Sequence, residues 1–161
     1  MTSRRTVPKT IVRAILTILP VLTSSCIGNT LQHQFAHIGK DGWYRNDTVT
    51  FDLPAADFEG RYAVDTEIRT ASPFQYQKLY LVRELAMQAP LMVRKDTIRI
   101  ETAGSPSTHD EKGVTLRCYS HSDSTLLLKE GQKGQLKLYH IMSREVLPHI
   151  TDIGIKVRTI R

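Results

Sequence analysis

The longest apolar run in this 161-residue chain, Ala14 to Leu22, is about nine residues and is interrupted by Pro20. A membrane-spanning helix needs roughly 20 apolar residues, so this run does not bridge a bilayer. Its length fits the apolar region of an export signal instead. Arg4, Arg5, Lys9 and Arg13 supply the positive head, and Thr23, Ser24 and Ser25 a small-residue cleavage site. Acidic residues are missing from the first 25 positions. Removing that segment takes four of the 22 Lys and Arg residues, leaving 18 against 16 Asp and Glu, net +2. The whole-chain pI near 9.5 thus belongs largely to the signal. A small excess on an exported chain excludes nucleic acid as a partner.

Cysteine is almost as scarce. There are two, Cys26 and Cys118, with no spacing that suits a metal. Cys26 follows directly on the small residues, as in the lipobox of bacterial lipoproteins. There the cysteine takes a diacylglycerol and becomes the first residue of the mature chain. Ordinary cleavage beside a free Cys26 thiol is the competing outcome. With Cys26 lipidated, Cys118 has no intramolecular partner, and its place on the Val114–Leu116–Cys118 face of "VTLRCYS" reads as a buried thiol.

Helical patterning is nearly absent as well. Only "VRELAMQAP", residues 82–90, has helical composition, and Pro90 limits it to a turn or two. What fills the chain is a period of two. "DTVTFDL", "RYAVDTEIRT", "DTIRIET", "GVTLRCYS", "GQLKLYHIM" and "TDIGIKVRTI" alternate apolar with polar side chains, "STLLLKEG" reads as a further strand before "GQLKLYHIM", and "KLYLVREL" is a continuous apolar run. Gly131 and Gly134 mark a turn before one of these strands. The pattern predicts an all-β, antiparallel sandwich of about eight strands. Its inward residues are Val49, Phe51, Tyr62, Val64, Ile68, Leu79, Leu81, Leu136, Leu138, Ile153, Ile155 and Val157. The resulting division is a signal peptide over 1–25, a lipidated cysteine and tether over 26–41, and the sandwich over 42–161. In "HITDIGIKV", Thr151 and Asp152 read as a turn before the last strand, and Gly154 as a place of close packing against a neighbour such as Tyr139.

Signals for chemistry are sparse. His33 and His37 lie four apart but in the expected tether, with no supporting ligand, and read as solvated. Ser107, His109 and Asp110 are too close in sequence to converge as a triad. No glycine-rich phosphate cradle occurs. Asp57 with Glu59, and Asp110 with Glu111, read as solvated loop acids beside the option of a spatially assembled carboxylate pair. The sequence names no enzyme, no metal and no cofactor. Its remaining device is aromatic: Trp43, Tyr44, Phe74 and Tyr76 read as a platform for a protein partner or a glycan, or as plugs of the sandwich ends.

Longer stretches carry a resemblance. "GWYRNDTVTFDLP", "TASPFQYQKLYLV", "DTIRIE" and "GQLKLYHIMSREVLPHITDIGIKV" are similar to the gliding-motility lipoproteins of the GldH family of Bacteroidetes. Residues 101–124 and Ser72 before Pro73 depart from that family's wording. The resemblance implies a membrane-anchored envelope protein, attached through lipid on Cys26 and linked to gliding and type IX secretion. It implies partners among the envelope proteins of that machinery, and no catalytic residues. Surface export in such organisms goes with acidic residues after the lipidated cysteine. "CIGNTLQHQ" has none, which points to a periplasm-facing position. A carbohydrate- or peptidoglycan-binding sandwich is the alternative.

Overall fold

Alternation of apolar and polar residues gives each strand one wet and one dry face, and two such sheets must cover each other. The computed structural model describes residues 29–71, 74–103, 106–111 and 114–160. Among these it shows eleven strands and no helix. They are β1 (Thr30–His37), β2 (Trp43–Tyr44), β3 (Val49–Leu53), β4 (Gly60–Thr70), β5 (Lys78–Gln88), β6 (Met92–Glu101), β7 (Ser107–Glu111), β8 (Val114–Leu128), β9 (Lys133–His140), β10 (Val146–Leu147) and β11 (Ile150–Thr159). A five-stranded sheet runs β1-β11-β4-β8-β7, and a four-stranded sheet runs β3-β9-β5-β6. The short pair β2–β10 stands apart. Every pairing is antiparallel.

The expected core is where the alternation put it. Each of the twelve inward residues is buried except Val49, which is half-buried. The cluster continues through Met87, Ile98, Ile100, Leu126 and Leu128. The centre also contains charge. Arg83 of β5 points inward with its side chain 5% exposed, and its guanidinium holds Asp96 of β6 (Nη2 to Oδ2, 2.7 Å) and Asp123 of β8 (2.5 Å). Arg94 donates to the same two carboxylates at 3.0 Å each. Burial opposes the Arg83 charge, but the bonds to Asp96 and Asp123 outweigh it and hold its pKa above the ordinary value. The tetrad joins the sheets where β8 runs past β7, since β7 covers only Val114 to Cys118.

Several expectations need correction. Strands among the described residues number eleven rather than about eight: β1, β2, β7 and β10 escape the pattern, and "GVTLRCYS" and "STLLLKEG" are one strand, β8. Residues 82–90 are not a helical turn: Val82–Gln88 continue β5, where pairing to both β6 and β9 overrides local propensity. The tether does not extend to residue 41, since Thr30–His37 form the edge strand β1 on β11. His33 and His37 therefore lie on a sheet, 3.2 Å from Glu67 and Asp152 respectively. The turn before β11 falls at Pro148–His149, and Thr151 and Asp152 already belong to the strand. Gly131 occupies a turn at φ 73°, but Gly134 lies within β9. Gly154 does sit under an aromatic ring. It is Phe35 of β1 rather than Tyr139, and any side chain at 154 would collide with it.

The sandwich has two distinct ends. Gly60, Leu128, Thr30 and Arg158 are brought together by the β4–β8, β1–β11 and β11–β4 registers, with Gln88 and Lys133 at the same level of the other sheet. This is the proximal end, where the described chain begins at Asn29. Thr70, Arg117, His37, His140 and Lys78 mark the distal end.

Candidate interaction surfaces

All four aromatics singled out in the sequence lie at the distal end, but they do not share a surface. Trp43 is wholly buried. Its strand β2 pairs with β10, Trp43 opposite Leu147 and Tyr44 opposite Val146. The indole Nε1 donates to the Asp47 carbonyl at 2.9 Å. His140 meets the indole edge-on with ring centres 5.2 Å apart, and its Nε2 lies 3.1 Å from the Trp43 carbonyl oxygen. Burial drives the His140 pKa below its ordinary value, against the bond to the Trp43 backbone. Gly42 enters this unit at φ 97°, and the Leu147 carbonyl occupies the space a side chain would need. A left-handed backbone under a close neighbour is a position for glycine.

Phe74 is also buried, and Tyr76 is half-buried, with ring centres 5.1 Å apart. Thr102 ties this segment down, donating Oγ1 to the Tyr76 carbonyl and its N–H to the Gln77 carbonyl. Only Tyr44, 41% exposed, stands free of the four. Of the two expectations, one exposed four-ring platform is thus corrected: Trp43 and Phe74 plug the distal end, and Tyr44 shares the surface there with residues outside the four. Sequence reading missed Tyr80 and Ile141, 39% and 47% exposed. Ile141 N–H donates to the Tyr80 carbonyl at 3.1 Å, and Arg45 binds the Ser143 and Glu145 carbonyls. The 141–145 loop therefore links Tyr80 to the strand bearing Tyr44. Both residues were readable as apolar groups on the wet side of an alternating strand, Tyr80 between Leu79 and Leu81 and Ile141 after His140.

An open hollow of about 490 Å³ lies beside Tyr80, lined by Thr97, Ile98, Arg99, Glu101 and His121. Arg99 and Glu101 pair with each other at 2.8 Å, so their charges are mutually neutralised. No group of three or more metal-ligating side chains occurs among the described residues. No helix among them is long and apolar enough to cross a membrane. Cys26 lies outside the described residues.

The described strands define an all-β, antiparallel sandwich whose distal end is plugged by its own aromatics. Residues 30–157 match the family model described as GldH lipoprotein, and the chain belongs to that family. It is 26% identical over 155 residues to the gliding motility lipoprotein GldH of Flavobacterium johnsoniae, covering 89% of this chain and 93% of the relative. Among solved structures it is similar to Caldicellulosiruptor saccharolyticus CBM27-1 in complex with mannohexaose, with TM-score 0.46, 10% identity, and 82% and 79% of the two chains covered. A second likeness is to Eiger TNF from S. frugiperda, with TM-score 0.30, 11% identity, and 83% and 94% covered. Neither structural likeness bears on what this chain binds.

Proposed function

We propose that this chain is anchored to a membrane through lipid on Cys26 and acts without catalysis, as an interaction component of the gliding and secretion-linked envelope machinery. Family membership supports the lipoprotein and gliding-motility character. The observation that carries the finer reading is the polarity of the fold. The chain enters at the proximal end, where the Asn29 carbonyl accepts from Thr159 N–H at 2.7 Å. The exposed Tyr44, Tyr80 and Ile141 lie toward the opposite end. Aromatics of this kind are favoured anchors for a protein partner. The absence of acidic residues in "CIGNTLQHQ" supports a position facing the periplasm.

Fractionation of cells making the wild-type chain and Cys26→Ser tests the anchor. The wild type should sediment with membranes. The variant should stay as uncleaved precursor or be released. Wild-type protein found wholly in the soluble periplasmic fraction would refute the anchor.

A further inference from the structure

We infer that the proximal end is a membrane-seating surface, on which Phe58, Leu91, Val93 and Leu127 rest in the boundary between lipid headgroups and acyl chains. The inference rests on anchoring through Cys26 and adds to it a defined contact and orientation.

Leu91 is 81% exposed, Val93 72%, Leu127 66% and Phe58 44%. The first three are the most exposed large apolar side chains among the described residues. The topology puts all four at one end. Leu91 is at the tip of the β5–β6 hairpin and Val93 is the second residue of β6. Leu127 is next to last in β8, and Phe58 lies in the β3–β4 loop. That end is braced across both sheets. Ala56 N–H donates to the Gln132 carbonyl at 2.9 Å, Gly131 N–H to the Ala56 carbonyl at 2.8 Å, and Gln132 Nε2 to the Pro90 carbonyl at 2.8 Å. The Phe58 ring stacks on Tyr62 with centres 5.8 Å apart. The apolar groups are therefore held on a fixed frame.

The chain itself says what covers them. Ile160 N–H donates to the Arg61 carbonyl at 2.9 Å, and Asn29 is bound to Thr159, so the first described residue lies at this same end. Three residue steps separate Asn29 from Cys26. A chain extends at most about 3.3–3.6 Å per residue, so Asn29 lies within roughly 11 Å of the lipidated cysteine. A leash that short presses the proximal end against the headgroups. Exposed apolar side chains there gain by entering the interface, where amphipathic surfaces bury about 5–10 Å deep. Arg61, Lys129 and Lys133 surround the end together with Asp52 and Glu59, Lys129 pairing with Glu59 at 2.5 Å, and the long basic stems leave their charges in the headgroup layer. The large apolar side chains exposed at the distal end, Ile141, Tyr44 and Tyr80, are 39–47% exposed, less than the 66–81% of Leu91, Val93 and Leu127, and two of the three are tyrosines.

The test uses the full-length lipidated chain in phosphatidylcholine vesicles, with and without bromine on the acyl chains. Leu91→Trp puts a quenchable probe at the proximal tip, and Ile141→Trp puts one at the distal end. The native Trp43, wholly buried and distal, gives the background in both. Brominated lipid should quench the Leu91→Trp signal severalfold more than the Ile141→Trp signal, with a blue shift on membrane contact. Co-flotation with vesicles but equal quenching of the two variants would overturn the seating while leaving the anchor intact. A blue shift that follows protein concentration and ignores bromine would place a second copy on this surface and overturn the seating too. A wild-type chain that fails to co-float would overturn the anchor, and the seating with it.

Discussion

The two ends of this sandwich are closed differently. At the proximal end the loops are short and braced by backbone bonds between residues 56, 131 and 132, and aliphatic side chains project outward from them. At the distal end the loops fold inward over their own aromatics, with Trp43 and Phe74 buried beneath the more polar Tyr44 and Tyr76. One end is braced and carries greasy tips, while the other is plugged and presents two phenols and Ile141. Both ends expose apolar side chains, but the distal end covers most of its apolar area and keeps phenols in what remains, whereas Leu91, Val93 and Leu127 at the proximal end stay 66–81% exposed.

The comparison breaks entirely if the frame holding both ends is broken. Arg83→Ala removes the guanidinium that pairs Asp96 and Asp123 from opposite sheets. Losing one partner of a buried ion pair costs on the order of 3–5 kcal/mol. Urea unfolding should show that loss, and a change below about 0.5 kcal/mol would mean the tetrad does not couple the sheets. Trp43→Phe should act on the distal end with a smaller effect. It leaves the Asp47 carbonyl without its indole donor and should cost about 1–3 kcal/mol. Bromine quenching of Leu91→Trp should be unchanged when Trp43→Phe, which removes the chain's single native tryptophan, is added to it.

Acid should separate the ends more gently. His140 is buried against Trp43, and its folded pKa lies below the ordinary 6.5. The unfolded chain therefore binds the proton first as pH falls, so stability is full above pH 6.5 and declines below it. Unfolding free energies measured across that window should show a slope that His140→Gln reduces. An identical slope in the variant would assign the acid sensitivity to other groups. The smallest effect on stability, and the sharpest on function, belongs to Tyr44→Ser with Ile141→Ser. Exposed substitutions shift stability by within about 0.5 kcal/mol, so membrane-bound levels should hold while crosslinks to envelope partners disappear. Normal crosslinks from the folded double variant would move the partner surface elsewhere.

Much of the fold was legible because a period of two needs only local sequence. The alternation in "RYAVDTEIRT" and "TDIGIKVRTI" identified buried Tyr62, Val64, Ile68, Ile153, Ile155 and Val157. Edge strand β1 was hidden because its polar residues are satisfied across the sheet, His33 by Glu67 and His37 by Asp152, so it reads as tether. The end of β5, residues 86–88, was hidden by helix-forming residues, and the inward Arg83 by acidic partners that lie 13 and 40 residues away. At the distal end the sequence grouped four aromatics that the fold separates, burying Trp43 and Phe74 and leaving Tyr44 exposed. Which ring plugs and which projects depends on the β2–β10 pairing and on Thr102, both invisible to local pattern. The proximal tip went unread because Leu91 and Val93 gain their meaning from where Asn29 enters the fold.

The difference between the ends is tested most directly by placing a photoreactive side chain at Leu91 or at Tyr44 in cells and identifying the adducts by mass spectrometry. The account predicts lipid adducts from position 91 and protein adducts from position 44. Protein adducts from position 91, with none from position 44, would contradict it.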